Sequence, residues 1–115
     1  MKNHDYTVWY SPASKQDLKA IYTYIARVLQ AKDTARRQVD RIRKEIRSLS
    51  DLPERYAPVD WEPWHGMDMR KMPVDNYLVY YLVHHDPGEV EIVRIFYGGR
   101  DVANIVQDST NETGS

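Results

Sequence analysis

Cysteine is absent from this chain, so disulfides and thiolate metal sites are excluded and a reducing compartment suits it. Also missing is any apolar run approaching the roughly 20 residues that cross a bilayer. The polar start Met1-Lys2-Asn3-His4-Asp5 carries no signal-peptide apolar region. A cytoplasmic protein without membrane contact is expected. Length is modest as well: 115 residues with 42% hydrophobic content provide for one core, leaving no room for a separate cofactor domain. No cofactor is expected. Net charge is nearly nil, at −1, which removes the overall basic signature of a nucleic-acid binder. The distribution is uneven, however. Arg36, Arg37, Arg41, Arg43 and Lys44 face only Asp33, Asp40 and Glu45 between Lys32 and Arg47, whereas 51–62 and the tail are acid-rich. A basic face is therefore compatible with a neutral total.

What is present is concentrated between Met69 and Asp101. Two runs rich in β-branched and aromatic residues, Tyr77 to Val83 and Val90 to Tyr97, flank His85-Asp86-Pro87-Gly88. Proline presets φ for a turn there and glycine supplies the positive φ that closes it, so the pair reads as a hairpin. Apolar residues fill alternate and intervening positions alike, which places these strands centrally with both faces covered. Met69 to Val74 supplies the strand before them. Gly98-Gly99 breaks the last strand, Asp101 to Val106 is long enough for about one helical turn, and residues 108–115 are polar and small, which predicts a disordered tail after a domain spanning 1–107.

Upstream, Tyr6 to Tyr10 reads as a short strand. Ser11-Pro12 then starts a helix, Ser capping orphan N–H groups and Pro losing nothing at the first helical position. Ser14 and Asp17 offer a competing start three residues later. Leu18, Ile21, Tyr22, Ile25, Val28 and Leu29 form one apolar stripe at helical spacing. A second helix from Asp33 or Thr34 carries Ala35, Val39, Ile42, Ile46 and Leu49, the narrow seam of a helix packed nearly antiparallel on its neighbour. From Pro53 to Pro63 the chain lacks periodicity, and Trp61 and Trp64 are expected to anchor this connection onto the sheet. The fold class is α+β: a helical hairpin on one face of a small twisted antiparallel sheet, in the order β-α-α-β-β-β.

These segments together resemble the RelE/ParE superfamily of bacterial type II toxin–antitoxin toxins, also called plasmid-stabilisation proteins. The motifs are the opening strand with Ser11-Pro12-Ala13, Asp17-Leu18, Ile21 to Ile25, Ile46 to Pro53, Arg70-Lys71-Met72, Asn76 to Tyr81, and the closing Ile95-Phe96-Tyr97-Gly98-Gly99-Arg100-Asp101. The resemblance implies a growth-arresting toxin held inactive by a cognate antitoxin. Its branches differ in target: DNA gyrase, poisoned without known hydrolysis, or mRNA on the ribosome, cut by basic side chains without a metal. Fold alone does not choose between them.

Carried over residue by residue, the resemblance implies Lys71 and Arg100 as members of an RNA-cutting set, with Tyr97 near the strand end as a proton carrier. Leu78 stands where that branch has an arginine, and Val106 where it has a tyrosine. The incomplete set favours gyrase, with the ribosome-dependent endoribonuclease as the alternative. Arg70, Arg94 and His65 are further expected to contact the target. No metal is expected, because the histidines lie in loops and turns without a spacing such as His-Glu-x-x-His. The antitoxin is expected to lie across the sheet and the helical hairpin.

Overall fold

The computed structural model describes residues 6–60 and 62–98. Trp61, Arg100, the closing helical turn and the polar tail lie outside these residues. Strand β1 (Thr7–Tyr10) leads into helix α1 (Pro12–Thr23) and a π-helical turn (Tyr24–Val28), followed by helix α2 (Lys32–Arg47). Short 3-10 turns at Ser48–Ser50 and Pro53–Arg55 precede strands β2 (Met69–Val74), β3 (Tyr77–His84) and β4 (Glu89–Tyr97). Among the described residues, no helix is long and apolar enough to cross a membrane.

The sheet order is β1-β4-β3-β2, which puts the two most apolar strands in the centre as their composition requires. The β2, β3 and β4 strands are mutually antiparallel, while β1 joins β4 in parallel, Thr7 opposite Glu89 and Tyr10 opposite Ile92. The sheet is thus mixed rather than wholly antiparallel. A parallel neighbour needs a long crossover, and the helical hairpin followed by β2 and β3 provides it.

Both faces of the sheet are covered. On one, Leu18, Ile42 and Ile46 from the helices and Leu49 from the following 3-10 turn interdigitate with Met72, Val74, Val79, Tyr81, Val83, Val90, Ile92 and Ile95. On the other, Trp64 and Val59 pack on Met69, Tyr80, Leu82 and Phe96. Tyr81 reaches out of the first core to donate its hydroxyl proton to the Pro53 carbonyl at 2.7 Å, tying down the irregular connection. Burial drives the phenols of Tyr80 and Tyr81 to higher pKa, that of Tyr80 to about 12.

Local chemistry explains the start of α1. The Ser11 hydroxyl accepts the Ser14 N–H at 3.0 Å and donates to the Val93 carbonyl at 2.9 Å. Val93 is the extra residue of a β-bulge: Tyr80 pairs with Arg94, but Tyr81 already pairs with Ile92. One hydroxyl therefore caps the helix and satisfies the bulge. The α2 seam behaves as its spacing predicts, with Ala35, Ile42, Ile46 and Leu49 buried. The α1 stripe does so only in part. Leu18 and Ile25 are buried, but Val28 is 64% and Leu29 55% exposed. The π turn, with the Leu29 N–H donating to the Tyr24 carbonyl at 3.2 Å, breaks the 3.6-residue phase on which the stripe rests.

Candidate functional site

Two of the cations expected at a target surface are engaged inside the fold. Arg94, on β4, offers a planar fork to Asp17 of α1: Nε and Nη2 donate to the two carboxylate oxygens at 2.8 and 3.0 Å. The same carboxylate accepts the Ile95 N–H at 2.8 Å, satisfying β4 where β1 has ended. The guanidinium also lies 4.5 Å from the centre of the Phe96 ring. The sequence offers Asp17 only within a competing helix start; the signal for its role here is a lone arginine between Val93 and Ile95, which demands a carboxylate when it is largely buried.

Arg70 has a similar position on β2. Its guanidinium donates to the carbonyls of Tyr56 (2.8 Å) and Glu54 (3.1 Å) and pairs with Asp68 at 2.8 Å. It therefore clamps the connection against the sheet edge. His65 is also used locally: Nδ1 lies 2.9 Å from the Val59 carbonyl and, because a carbonyl can only accept, must be the protonated ring nitrogen.

Lys71 is exposed. It alternates with Met72, which is buried in the helix-side core, so it projects from the opposite, loop-covered face. Tyr97 pairs directly with Tyr77, whose ring it meets edge-on at 5.7 Å, and Tyr77 packs against the helix-side core. Direct cross-strand partners share a face. Lys71 and Tyr97 therefore stand on opposite faces of the sheet, separated by about three residues along the strands and two strand spacings, on the order of 14 Å. The structure does not bring them together. Arg100 lies outside the described residues.

Around Tyr97 a different surface forms. Pro73, Asp75, Asn76, Tyr77, Leu78, Tyr97 and Gly98 line an open cavity of about 260 Å³. Gly98 closes one wall by donating its N–H to the Asn76 carbonyl at 2.8 Å; a Cβ there would come within 3.3 Å of that oxygen. Burial and then the neighbouring phenols of Tyr97 and Tyr24 push the Tyr77 phenol up. That proximity links the sheet end to the helical hairpin: Tyr24 and Tyr97 are both about half exposed, and Val28 and Leu29, at the end of the π turn that Tyr24 opens, are exposed as well. An aromatic and aliphatic patch of this kind is characteristic of a protein-binding surface. The basic side of α2 is partly quenched, since Arg41 holds Asp75 with bonds of 2.8 and 3.1 Å, and Gln38 adds a third at 3.0 Å.

No curated protein sequence matches the chain. Among solved structures, a chain of the chromosomal ParDE TA system from P. aeruginosa is similar, with 22% identity, a TM-score of 0.67, and coverage of 82% of this chain and 97% of that one. At that identity the likeness establishes the fold: two helices on a four-stranded mixed sheet. A family model described as the ParE toxin of the type II toxin–antitoxin system parDE matches residues 8–102, nearly the whole span of the elements described above. The chain belongs to the ParE family of type II toxin–antitoxin toxins.

Proposed function

We propose that this toxin arrests growth by binding DNA gyrase rather than by cutting RNA. The observation that carries the reading is the placement of Lys71 and Tyr97 on opposite faces of the sheet. General acid–base cleavage of a phosphodiester needs its proton carrier and its cation within hydrogen-bond reach of the same few atoms, and this pair is several times too far apart. Arg70 and Arg94 are spent on carboxylates and carbonyls of the fold, which reduces the charge available to a scissile phosphate. A binding poison needs a complementary surface and no such convergence.

The partner that restrains the toxin is a cognate antitoxin, and the patch of Tyr24, Val28, Leu29 and Tyr97 is its proposed seat, extending from the helical hairpin to the end of β4. Arg100 follows two glycines and belongs to the proposed target contact; Arg100→Ala is expected to abolish growth arrest in a protein that stays folded. The discriminating experiment adds the purified chain to gyrase supercoiling reactions and, separately, to translating ribosomes. Loss of supercoiling with intact mRNA is expected. Cleaved mRNA with unaffected gyrase overturns the reading.

A further inference from the structure

At the end of the sheet opposite the aromatic patch, three segments distant in sequence bring together ligand-bearing side chains. Glu54 comes from the 3-10 turn, Asp68 from the loop entering β2, and His85 from the β3–β4 turn. His85 Nε2 lies 3.2 Å from Glu54 Oε2 and 3.8 Å from Asp68 Oδ2. One ligand atom from each residue falls within 4.8 Å of the others. Two ligands each about 2.1 Å from a tetrahedral ion stand about 3.4 Å apart, so the two measured separations bracket the value a shared ion would impose.

The rest of the histidine ring is held for the same task. The Tyr6 hydroxyl lies 3.0 Å from Nδ1. Without an ion, Nε2–H donates to the Glu54 carboxylate, which can only accept; with an ion in its place, Nδ1–H can turn to the Tyr6 oxygen and leave the Nε2 lone pair as the ligand. Asp68 divides its oxygens: Oδ1 holds Arg70 at 2.8 Å and Oδ2 faces His85. Arg70 Nη2 lies 3.8 Å from Glu54 Oε2 as well, so its charge already faces both carboxylates and sets this site below a four-thiolate zinc centre in affinity. Glu54 and His85 are exposed and Asp68 half-buried, so water can complete the coordination shell.

We propose that Glu54, Asp68 and His85 form a binding site for one divalent transition-metal ion of the Zn²⁺ class, clasping the 3-10 turn, the β2 entry loop and the β3–β4 turn to one another. One imidazole with two carboxylates suits Zn²⁺, Co²⁺ or Ni²⁺, whereas Mg²⁺ and Ca²⁺ prefer an all-oxygen shell. The residues are 31 positions apart from first to last, which is why no metal-ligand spacing shows in the sequence.

The test strips the full-length chain with EDTA, dialyses the chelator away, and titrates Zn²⁺ by calorimetry and thermal melting. One ion per chain is expected, with a rise in Tm of about 10 °C at a free concentration about a hundred times the Kd, and no comparable rise with Mg²⁺. Co²⁺ should give visible d–d absorption that changes in His85→Gln. That variant should bind at least tenfold more weakly, while His65→Gln binds as the parent does. Glu54→Gln alters an exposed side chain and should lose affinity to a similar extent. Absence of saturable binding, equal response to Mg²⁺, or unchanged Zn²⁺ affinity in either His85→Gln or Glu54→Gln overturns the proposal.

Discussion

The two faces of the sheet are covered by different means. On the helix side, four side chains from α1, α2 and the 3-10 turn that ends α2 lock into eight from the strands, and the buried cluster runs from Leu18 to Ile95. On the other side Val59 and Trp64 of a loop without regular structure cover four buried strand residues, with Trp64 as the main contribution. The indole Nε1 of Trp64 is buried and meets no hydrogen-bond partner among the described residues, an unmet donor that reduces what the ring contributes. A periodic cover distributes its burial over many residues and fails as a unit; a single-ring cover can lift while the sheet beneath it stays paired.

The largest expected effect tests the periodic side. Ile46 is fully buried between α2 and the sheet, and Ile46→Ala should cost about 3–4 kcal/mol in urea unfolding, lost transfer energy plus the cavity left behind. A smaller loss, about 1–2 kcal/mol, is expected for Trp64→Ala, because its site opens to solvent on loss of the ring and leaves little empty cavity. Hydrogen exchange sharpens the contrast: in Trp64→Ala the amides of the connection should lose protection while those of β3 keep it. Equal costs for the two substitutions, or loss of protection throughout β3, would break the distinction between the faces.

The smallest effect concerns the strap between α2 and the β2–β3 turn. Hydrogen bonds from Arg41, then Gln38, hold the Asp75 carboxyl below its ordinary pKa. A depressed carboxyl stabilises the fold above its unfolded pKa, and that contribution disappears as pH falls through the folded value. Asn tolerates the left-handed φ of 54° at this position. Asp75→Asn should therefore sit slightly below the parent in stability at neutral pH and converge with it in acid. A gap that persists in acid would assign the effect to the turn's backbone.

Much of this architecture is legible in the residues themselves. Ser11-Pro12 announces the start of α1, the Ala35-to-Leu49 seam announces α2, and Gly88, at φ 101°, closes the turn where its sequence places it. These are local signals, each decided within one or two turns of chain. What escapes is set by distance. Arg94 meets Asp17 across 77 positions, and β1 joins β4 rather than its sequence neighbour; neither is written in any short window. The π turn escapes for another reason: Val28 and Leu29 fit a helical period that the backbone leaves four residues earlier. Of the site residues, Lys71 is exposed as its strand position suggests, but the choice of face for Tyr97 depends on the Val93 bulge, which shifts the alternation late in β4.

Asp17 has one further consequence. By taking the Ile95 N–H it occupies the rim of the sheet where β4 runs past β1. On the far rim, the loop at 57–59 pairs with β2 through Val59 and Lys71, at 2.8 and 3.3 Å, and Pro73 removes a donor further along the same strand. Among the described residues, the rim that remains is the outer side of β1, where the backbones of Val8 and Tyr10 point away from β4, since Thr7 and Ser11 direct theirs toward it. A partner that extends this sheet by a strand is steered to β1; one that approaches elsewhere must read side chains.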